Sequence, residues 1–301
     1  MPTIMITGAT RGFGLAVTRA LNATGDVDLI LAVRDSDAGN RLAAQLSPKA
    51  RVVALDVSSR RSIQALVNSW DRPLHALVNN AGLQFTGPMA FSEDGTEMTL
   101  AVNHLGPLEL TLGLLPWLKG GRVMGIGSGT HNPDNAMARA FGFRGGHFTS
   151  IEQLARGDSE RAGDRQRGMD LYATSKLLSM VSMVEMARHY HQPSFLTLDP
   201  GLMPGTGLLR TAPLAARLAW NSLLRWLVPV LPDSSTPERS AKAAQSLLLN
   251  IDPAPGEIYA FDGRPSRRVW SMVRDKEFGH RVLNESLRFL GISRQAEAAR
   301  A

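Results

Sequence analysis

Tyr172 and Lys176 lie four residues apart in the stretch LYATSKLLSMVSMVEMARHY, which has helical character. Residues at this spacing share one face of a helix, one turn apart. A tyrosine with its ordinary pKa of about 10 exchanges protons poorly near neutrality, but a neighbouring ammonium favours the phenolate and lowers that pKa. The pair therefore predicts an acid–base centre. The same pattern is common on exposed helices without function, so it needs independent support.

A glycine-rich turn follows the first apolar run of the chain. Gly8 permits a tight strand-to-helix turn, Gly12 lets the backbone approach a pyrophosphate, and Gly14 lets the helix pack closely on the sheet. The first N–H groups of that helix then point at the phosphates. The turn predicts a dinucleotide site, and Lys176 beside Tyr172 can also bind the ribose of that dinucleotide. The cofactor-binding residues expected from the turn itself are Gly8, Thr10, Arg11, Gly12, Phe13 and Gly14.

The end of the second strand, LILAVRD, bears on which dinucleotide is bound. An acid at this place typically bonds the ribose 2′-hydroxyl of NAD, whereas a positive charge accommodates the 2′-phosphate of NADP. Arg34 near the strand tip and Arg11 in the turn offer two guanidinium groups, which favours NADP(H). Two alternatives stay open: Arg34 is an ordinary surface arginine, or Asp35 turns back to the ribose.

Short apolar runs alternate with longer helical patterns along the chain, which is typical of βαβ units. We predict an α/β fold of Rossmann type, a doubly wound parallel seven-stranded sheet with helices on both faces, in one domain spanning residues 1–301. The expected strands are Thr3–Thr7, Leu29–Val33, Arg51–Ala54, Ala76–Asn79, Gly121–Ile126, Phe195–Leu198 and Glu257–Phe261. The clearest helical patterns are Phe13–Asn22, Ser62–Ser69, Leu171–Tyr190 and Thr236–Leu249.

Two segments depart from this alternation. Residues 129–170 form a long polar, glycine-rich insertion, a kind of segment that often serves as a lid or binding loop. Residues 207–232 are apolar and amphipathic, and arginines interrupt them, so a membrane-spanning helix is not expected. A substrate lid is the preferred interpretation of 207–232, a plain core helix the second, and a peripheral membrane contact the least favoured.

Composition bounds the classes of function. The chain has 301 residues, 44% of them hydrophobic, no cysteine and a formal charge of +6. Without cysteine there are no disulfides or thiolate sites, which fits the cytoplasm. The first strand begins almost at once, so we expect no signal peptide. The basic excess is interleaved with acids, for example after Arg264, so we expect a solvated helix face and no nucleic-acid partner.

Together these features resemble the short-chain dehydrogenase/reductase family over nearly the whole chain. The motifs that carry the resemblance are TGATRGFG at 7–14, LDV at 55–57, NNAG at 79–82, VNHLG around Asn103, GIGS ending at Ser128, YATSK at 172–176 and DPG at 199–201. Each stands at the end of the appropriate strand or on the appropriate helix. The resemblance implies an NADP-dependent enzyme that interconverts carbonyl compounds and alcohols.

The resemblance also implies roles for individual residues. Asp56 and Val57 would contact the adenine. Asn80, Ala81 and Gly82 would lie beside the adenosine ribose. Pro200 and Gly201 would flank the nicotinamide, and Thr206 would reach its carboxamide or the pyrophosphate, although its family counterpart usually lies nearer the Pro-Gly pair.

For catalysis, Tyr172 would be the general acid or base. Ser128 would donate a hydrogen bond to the substrate oxygen, and Asn103 would hold a water that passes protons to Lys176. We expect an apolar ketone or aldehyde, or the matching alcohol, as substrate. Two other functions are weighed: a non-catalytic NADP(H) sensor, which would tend to lack Tyr172 or Lys176, and an epimerase or dehydratase that regenerates its cofactor.

Within the family, the runs SGTH at 128–131 and DPGLMPGTGL at 199–208 are similar to the branch with retinol dehydrogenase-like and protochlorophyllide reductase-like proteins. Light-driven members of that branch carry cysteine near the active site, so a photoenzyme is not expected. The insertion at 129–170 is similar to that of monomeric carbonyl reductases, where it covers a face used for oligomerisation. We expect a monomer or a homodimer.

Other polar residues are weaker candidates. His104 is better explained as a packed helix residue. For His131 two roles remain equal, a substrate contact and a hydrogen bond that orders its loop. No His/Asp/Glu cluster shows metal-ligand spacing along the sequence, so no metal site is predicted.

Overall fold

Seven parallel strands form the centre of the protein, and the computed structural model describes residues 1–46, 50–85, 87–158, 163–203 and 233–292. The strands are β1 (Thr3–Thr7), β2 (Asp28–Val33), β3 (Arg51–Ala54), β4 (Ala76–Asn79), β5 (Arg122–Ile126), β6 (Ser194–Asp199) and β7 (Ile258–Ala260). Each begins and ends within one residue of its predicted bounds. The runs were recognisable because strands covered on both faces are apolar throughout.

The strand order is β3-β2-β1-β4-β5-β6-β7, with every neighbouring pair parallel. The order changes direction between β1 and β4. The connections that leave these two strands therefore run to opposite faces and open a crevice at the carboxyl edge of the sheet. This arrangement confirms the predicted doubly wound fold and places the glycine turn at the crevice.

Helices cover both faces of the sheet. In the described ranges they are α1 (Gly12–Asn22), α2 (Ser36–Ala43), α3 (Arg60–Ser69), α4 (Met98–Leu100), α5 (Gly106–Leu114), α6 (Ala136–Ala140), α7 (Ile151–Ala155), α8 (Asp164–His189), α9 (Pro237–Leu249) and α10 (Lys276–Phe289). Two apolar clusters fill the layers between helices and sheet. Ile4 and Ile6 of β1 belong to one cluster and Met5 to the other, as the alternation of side chains along a strand requires.

The longest helix, α8, is buried on nearly all sides. Eighteen of its 26 residues are buried, and α10, α4 and β6 pack against it. The buried positions include polar residues as well as apolar ones, among them Thr174, Lys176 and Glu185. It begins at Asp164, seven residues before the predicted start at Leu171. The prediction missed the first two turns, DRQRGMD, because they lack apolar periodicity.

The insertion at 129–170 packs against the middle of α8 rather than standing away from the rest of the chain. It contains α6, α7 and the first turns of α8. Thr174 of α8 receives a hydrogen bond from the backbone N–H of His147 (2.9 Å) and donates one to its carbonyl (3.1 Å). The predicted lid at 207–232 and Thr206 lie outside the described residues. Among the helices that are described, none is both long and apolar enough to cross a bilayer.

Candidate active site

Tyr172 and Lys176 lie near the middle of α8 on one face. The ammonium of Lys176 is 5.8 Å from the centre of the Tyr172 ring. Both side chains are largely buried, with 8% of Tyr172 and 6% of Lys176 exposed. Lys176 Nζ donates a hydrogen bond to the carbonyl oxygen of Ile126 (2.8 Å), the last residue of β5. This bond ties α8 to the carboxyl edge of the sheet.

Ser128 follows β5 by two residues and is hydrogen-bonded to the phenol of Tyr172. Its Oγ accepts a second hydrogen bond from Oγ1 of Thr130 (3.0 Å). Ser128 and Tyr172 are 44 residues apart in sequence, and β5 brings the serine to the middle of α8. The structure therefore brings together the three predicted groups. Thr130 was not singled out from the sequence, because its contact depends on the short 3₁₀ turn Gly129–His131.

Burial shifts both ionisable groups of the pair. Burial raises the pKa of Tyr172 to about 12, and the hydrogen bond with Ser128 opposes that rise. Burial lowers the pKa of Lys176 to about 8, against a smaller opposite effect of Asp199. The lowering of the tyrosine pKa expected from its lysine is not seen, since burial dominates and the charge of Asp199 raises the pKa further. At neutral pH the phenol is protonated.

Asp199 is a further ionisable group of this site. It ends β6, and its Oδ1 accepts a hydrogen bond from the backbone N–H of Gly201 (3.0 Å). Burial raises the pKa of its carboxyl, while the Gly201 bond and the charges of His131 and Lys176 lower it. The DPG motif at 199–201 contains Asp199, but the sequence analysis assigned a role only to Pro200 and Gly201.

Asn103 lies on a π-helical turn, Ala101–Leu105, between α4 and α5. Its Oδ1 accepts from the Leu83 N–H (2.9 Å), and its Nδ2 donates to the Leu83 carbonyl and to Oγ of Ser175 (both 2.9 Å). The side chain therefore holds the loop after β4 against α8. Gly82 fits between them: a Cβ there would lie 3.4 Å from Asn103 Oδ1 and 3.8 Å from Lys176 Nζ.

The glycine turn has the conformation that its sequence predicts. Gly8 and Gly12 have φ of 67° and 55°, a region that favours glycine. A Cβ on Gly14 would lie 2.3 Å from Nδ2 of Asn80 and 2.4 Å from the Gly8 carbonyl. That Nδ2 donates to the carbonyls of Thr7 (2.8 Å) and Gly8 (3.2 Å), so the amide of Asn80 joins the loops after β1 and β4.

The residues after β2 separate into two roles. Arg34 is exposed at the tip of the strand. Asp35 is the N-cap of α2, and its Oδ1 accepts from the Ala38 N–H (2.9 Å). Oδ1 of this carboxylate is thus engaged by its own helix. After β3, Oδ1 of Asp56 accepts from both the N–H (2.9 Å) and the hydroxyl (2.6 Å) of Ser58.

Two expected cofactor residues turn their side chains into the core. Phe13 and Val57 belong to the apolar clusters, and the Val57 carbonyl lies so close to α5 that a Cβ on Gly106 would clash with it. After β6, the carbonyl oxygen of Pro200 accepts a hydrogen bond from Oγ of Ser240 (2.8 Å), and Gly201 has a φ of 75°. A Cβ on Gly201 would lie 2.8 Å from the Asp233 carbonyl, so this turn also requires glycine.

Both candidate histidines are structural. Nε2 of His131 accepts from the Trp270 N–H (3.2 Å), so Nδ1 carries the proton and donates to the Ser128 carbonyl (2.7 Å). His131 thus orders the serine loop against the C-terminal segment. His104 is buried, its Nε2 lies 2.8 Å from Oγ of Ser286, and burial lowers its pKa to about 3.

The insertion contributes an aromatic wall beside the phenol. The rings of Phe143 and Tyr172 are 6.1 Å apart between centroids. The backbone N–H of Gly146 donates to the His131 carbonyl (3.0 Å), which connects this part of the insertion to the serine loop. Ser128, Tyr172 and Phe143 thus border one small region at the carboxyl edge of the sheet.

Comparison with known proteins gives one family. Residues 2–141 match the family model for short chain dehydrogenase. A protochlorophyllide reductase of Pisum sativum is 33% identical over 233 residues, which cover 69% of this chain and 57% of the pea protein. One from Avena sativa is also 33% identical, over 235 residues, 69% of this chain and 73% of the oat protein. The match thus spans little more than half the length of the pea relative.

Solved structures share the fold. A crystal structure of a protein from Mycobacterium paratuberculosis has a TM-score of 0.70 and 24% identity, covering 97% of this chain and 94% of that one. A 3-ketoacyl-(acyl-carrier-protein) reductase from Brucella melitensis, complexed with NADH, has a TM-score of 0.62 and 20% identity, with 89% and 98% covered.

Proposed function

The chain belongs to the short-chain dehydrogenase family, whose members are NAD(P)-dependent oxidoreductases, and from that membership we propose that it reduces an apolar ketone or aldehyde with NADPH, or catalyses the reverse reaction. The single observation that supports this most is the meeting of Tyr172, Ser128 and Lys176 at the crevice edge of the sheet. Tyr172 and Lys176 come from one helix, and Ser128 comes from the connection after β5, 44 residues earlier in the sequence.

The glycine turn fits a dinucleotide phosphate. Helices α2, α3, α9 and α10 each have a side-chain cap on their first N–H groups, whereas α1 has none. A Cβ on Gly12 would meet no atom of the described residues within 4 Å, so its backbone borders open space. Uncapped N–H groups beside an open glycine turn form a site for an anion. The turn, with Thr10 and Arg11, would hold the pyrophosphate.

The preference for NADP(H) rests on charge. Arg34 and Arg11 are both exposed near the end of β2 and the glycine turn, where a 2′-phosphate would lie. Asp35, the acid beside Arg34, caps α2 through its Oδ1. Asp56, Val57, Asn80, Ala81 and Gly82 would line the adenosine side, and Pro200 and Gly201 the nicotinamide side.

The bound dinucleotide supplies or accepts hydride, and the side chains of the chain handle the proton. In reduction, the protonated phenol of Tyr172 donates a proton to the carbonyl oxygen as negative charge develops there. Ser128, whose Oγ is held by Thr130, donates a hydrogen bond to the same oxygen. Lys176 stabilises the resulting phenolate by its charge and would bind the ribose. Lys176 would then pass a proton to the phenolate, and a water held near Asn103 would return one to Lys176.

The nature of the substrate is inferred from the wall of the site. Phe143 flanks the phenol, and the segment predicted as a lid, 207–232, is leucine-rich in sequence. Both features suit an apolar compound. The cytoplasmic location stays a proposal that rests on the cysteine-free composition.

A panel of ketones, aldehydes and alcohols, assayed with NADPH and with NADH, tests the proposal. We expect net NADPH oxidation with at least one apolar carbonyl compound. An epimerase or dehydratase would change its substrate without net NADPH loss, and a sensor would bind NADPH without changing any compound, so the panel separates all three functions.

A further inference from the structure

Glu185, His189 and His280 meet between α8 and α10, away from the candidate active site. Glu185 is nine residues beyond Lys176, roughly 13 Å along the helix axis. One ring nitrogen of each histidine and one carboxylate oxygen of Glu185 all lie within 4.8 Å of one another. His189 follows Glu185 by one helical turn, and His280 reaches the pair from α10.

The carboxylate of Glu185 is fully buried, and its two oxygens differ. Oε2 accepts a hydrogen bond from Arg188 (2.8 Å). Oε1 lies 2.8 Å from His280 Nε2 and 3.4 Å from His189 Nδ1, yet no described group donates a hydrogen bond to it. A buried carboxylate oxygen without a donor is costly. The imidazole of His280 approaches Oε1 without the alignment of a hydrogen bond. Nδ1 of His189 donates to the Glu185 carbonyl oxygen instead, so Nε2 is the nitrogen of His189 that can bind a cation.

The histidines are restrained and accessible. His189 Nδ1 lies 2.9 Å from the Glu185 carbonyl oxygen, which limits the rotation of the ring. The two rings are 5.6 Å apart between centroids. Their side chains are 33% and 57% exposed, so an ion has a path from solvent. Gly279 permits this approach, since a Cβ there would lie 2.7 Å from Glu185 Oε2.

We propose that Glu185, His189 and His280 bind a late first-row divalent cation such as zinc, which would link α8 to α10. Two imidazoles and one carboxylate are a ligand set of zinc sites that keep a fourth position for water. Because Arg188 holds Oε2, Glu185 binds through Oε1. The ion is remote from the phenol and takes no part in hydride transfer. Its effect is to add binding energy to the folded state.

This proposal departs from the expectation of no metal that was drawn from sequence spacing. Only the pair Glu185 and His189 is visible there, and such a pair is common on helices. The third ligand, His280, is 91 residues further along the chain and is brought in by the packing of α10 on α8.

The test uses the full chain without an affinity tag, stripped of metal with a chelator and then dialysed against zinc chloride. We expect one zinc per chain by elemental analysis and a rise in Tm that depends on zinc concentration. His189→Ala and His280→Ala should each weaken zinc binding by at least about tenfold, since loss of even an outer-shell partner costs that much. Cobalt(II) should give a visible absorption band in the wild type that both variants lack.

The matched control is His191→Ala, which removes an exposed histidine outside the cluster and should bind zinc as the wild type does. Metal-free unfolding curves of the variants establish that they fold. The proposal is overturned if the wild type takes up no zinc, or if either cluster variant binds zinc as tightly as the His191→Ala control.

Discussion

Lys176 reaches out of α8 to donate a hydrogen bond, at 2.8 Å, to the carbonyl oxygen of Ile126 at the end of β5. Two residues later on the same connection, Ser128 is bonded to the phenol of Tyr172. The helix that carries the proton donor is therefore fixed to the strand that carries the hydrogen-bonding serine at two adjacent points. This double attachment sets the geometry before any ligand arrives.

Replacing Tyr172 by Phe should lower kcat for carbonyl reduction by about 10²–10⁴-fold, because the general acid is lost. NADPH affinity should change little, since the ring next to Phe143 and the ammonium of Lys176 remain. Steady-state kinetics and fluorescence titration with NADPH measure the two effects. Tyr259→Phe, a remote phenol, is the control. Full activity in Tyr172→Phe would remove the phenol from the mechanism.

Replacing Arg34 by Ala should raise the Kd for NADPH by about 10- to 100-fold, the loss of one charge-assisted contact of about 1.5–3 kcal/mol. The Kd for NADH should change far less, since it lacks the 2′-phosphate. Arg19→Ala, an exposed arginine at the other end of α1, should affect neither. Equal losses for both dinucleotides in Arg34→Ala would contradict the 2′-phosphate contact.

The pH dependence of kcat/KM for reduction should report the protonation of Lys176. Its pKa of about 8 means that it loses its charge as pH rises through that value, so kcat/KM for reduction should fall above pH 8. The pKa of Tyr172, about 12, keeps the phenol protonated over this range.

Asp199→Asn should move that descending limb to lower pH. The charge of Asp199 raises the pKa of both Lys176 and Tyr172, so removing it lowers both. Asp26→Asn, an exposed and distant acid, should leave the profile in place. An unchanged limb in Asp199→Asn, with the fold intact, would show that Asp199 does not influence the pair.

Alanine substitutions at two glycines of the same turn should affect different properties, stability at Gly14 and dinucleotide affinity at Gly12. Gly14→Ala puts a Cβ against Asn80 and the Gly8 carbonyl, and such overpacking should cost about 1–3 kcal/mol of stability. Gly12→Ala has room for its Cβ, and its positive φ costs about 1–2 kcal/mol. Its main loss should be dinucleotide affinity, because the methyl group projects where the pyrophosphate backbone contact would form. Unfolding curves and NADPH titrations of both variants separate the two effects; full affinity in Gly12→Ala would place the phosphates elsewhere.

The sheet was predictable because its signal is local. Each strand is a short apolar run with a turn after it, and the glycine turn and the Tyr–Lys pair lie within single elements. The first turns of α8 were missed because polar residues there carry no periodicity. The capping role of Asp35 was missed because it depends on where α2 begins.

What the sequence could not supply are contacts between distant segments. The bond from Thr130 to Ser128 depends on a 3₁₀ turn, and the influence of Asp199 depends on β6 lying beside β5. The raised pKa of Tyr172 depends on burial, which is a property of the packed site. Spacing correctly grouped the lysine with the tyrosine but overestimated its effect against desolvation.

Because α8 is enclosed, its residues should tolerate fewer substitutions than those of the surface segments around it. A substitution on the catalytic helix disturbs its packing against the sheet or against α10, so few replacements there should be tolerated. The insertion that carries Phe143 borders the same phenol from a surface segment, where neighbouring residues are free to drift. New substrate preferences should therefore arise in that segment while the proton-transfer machinery stays constant, and a mutagenesis library aimed at altered specificity is best concentrated there.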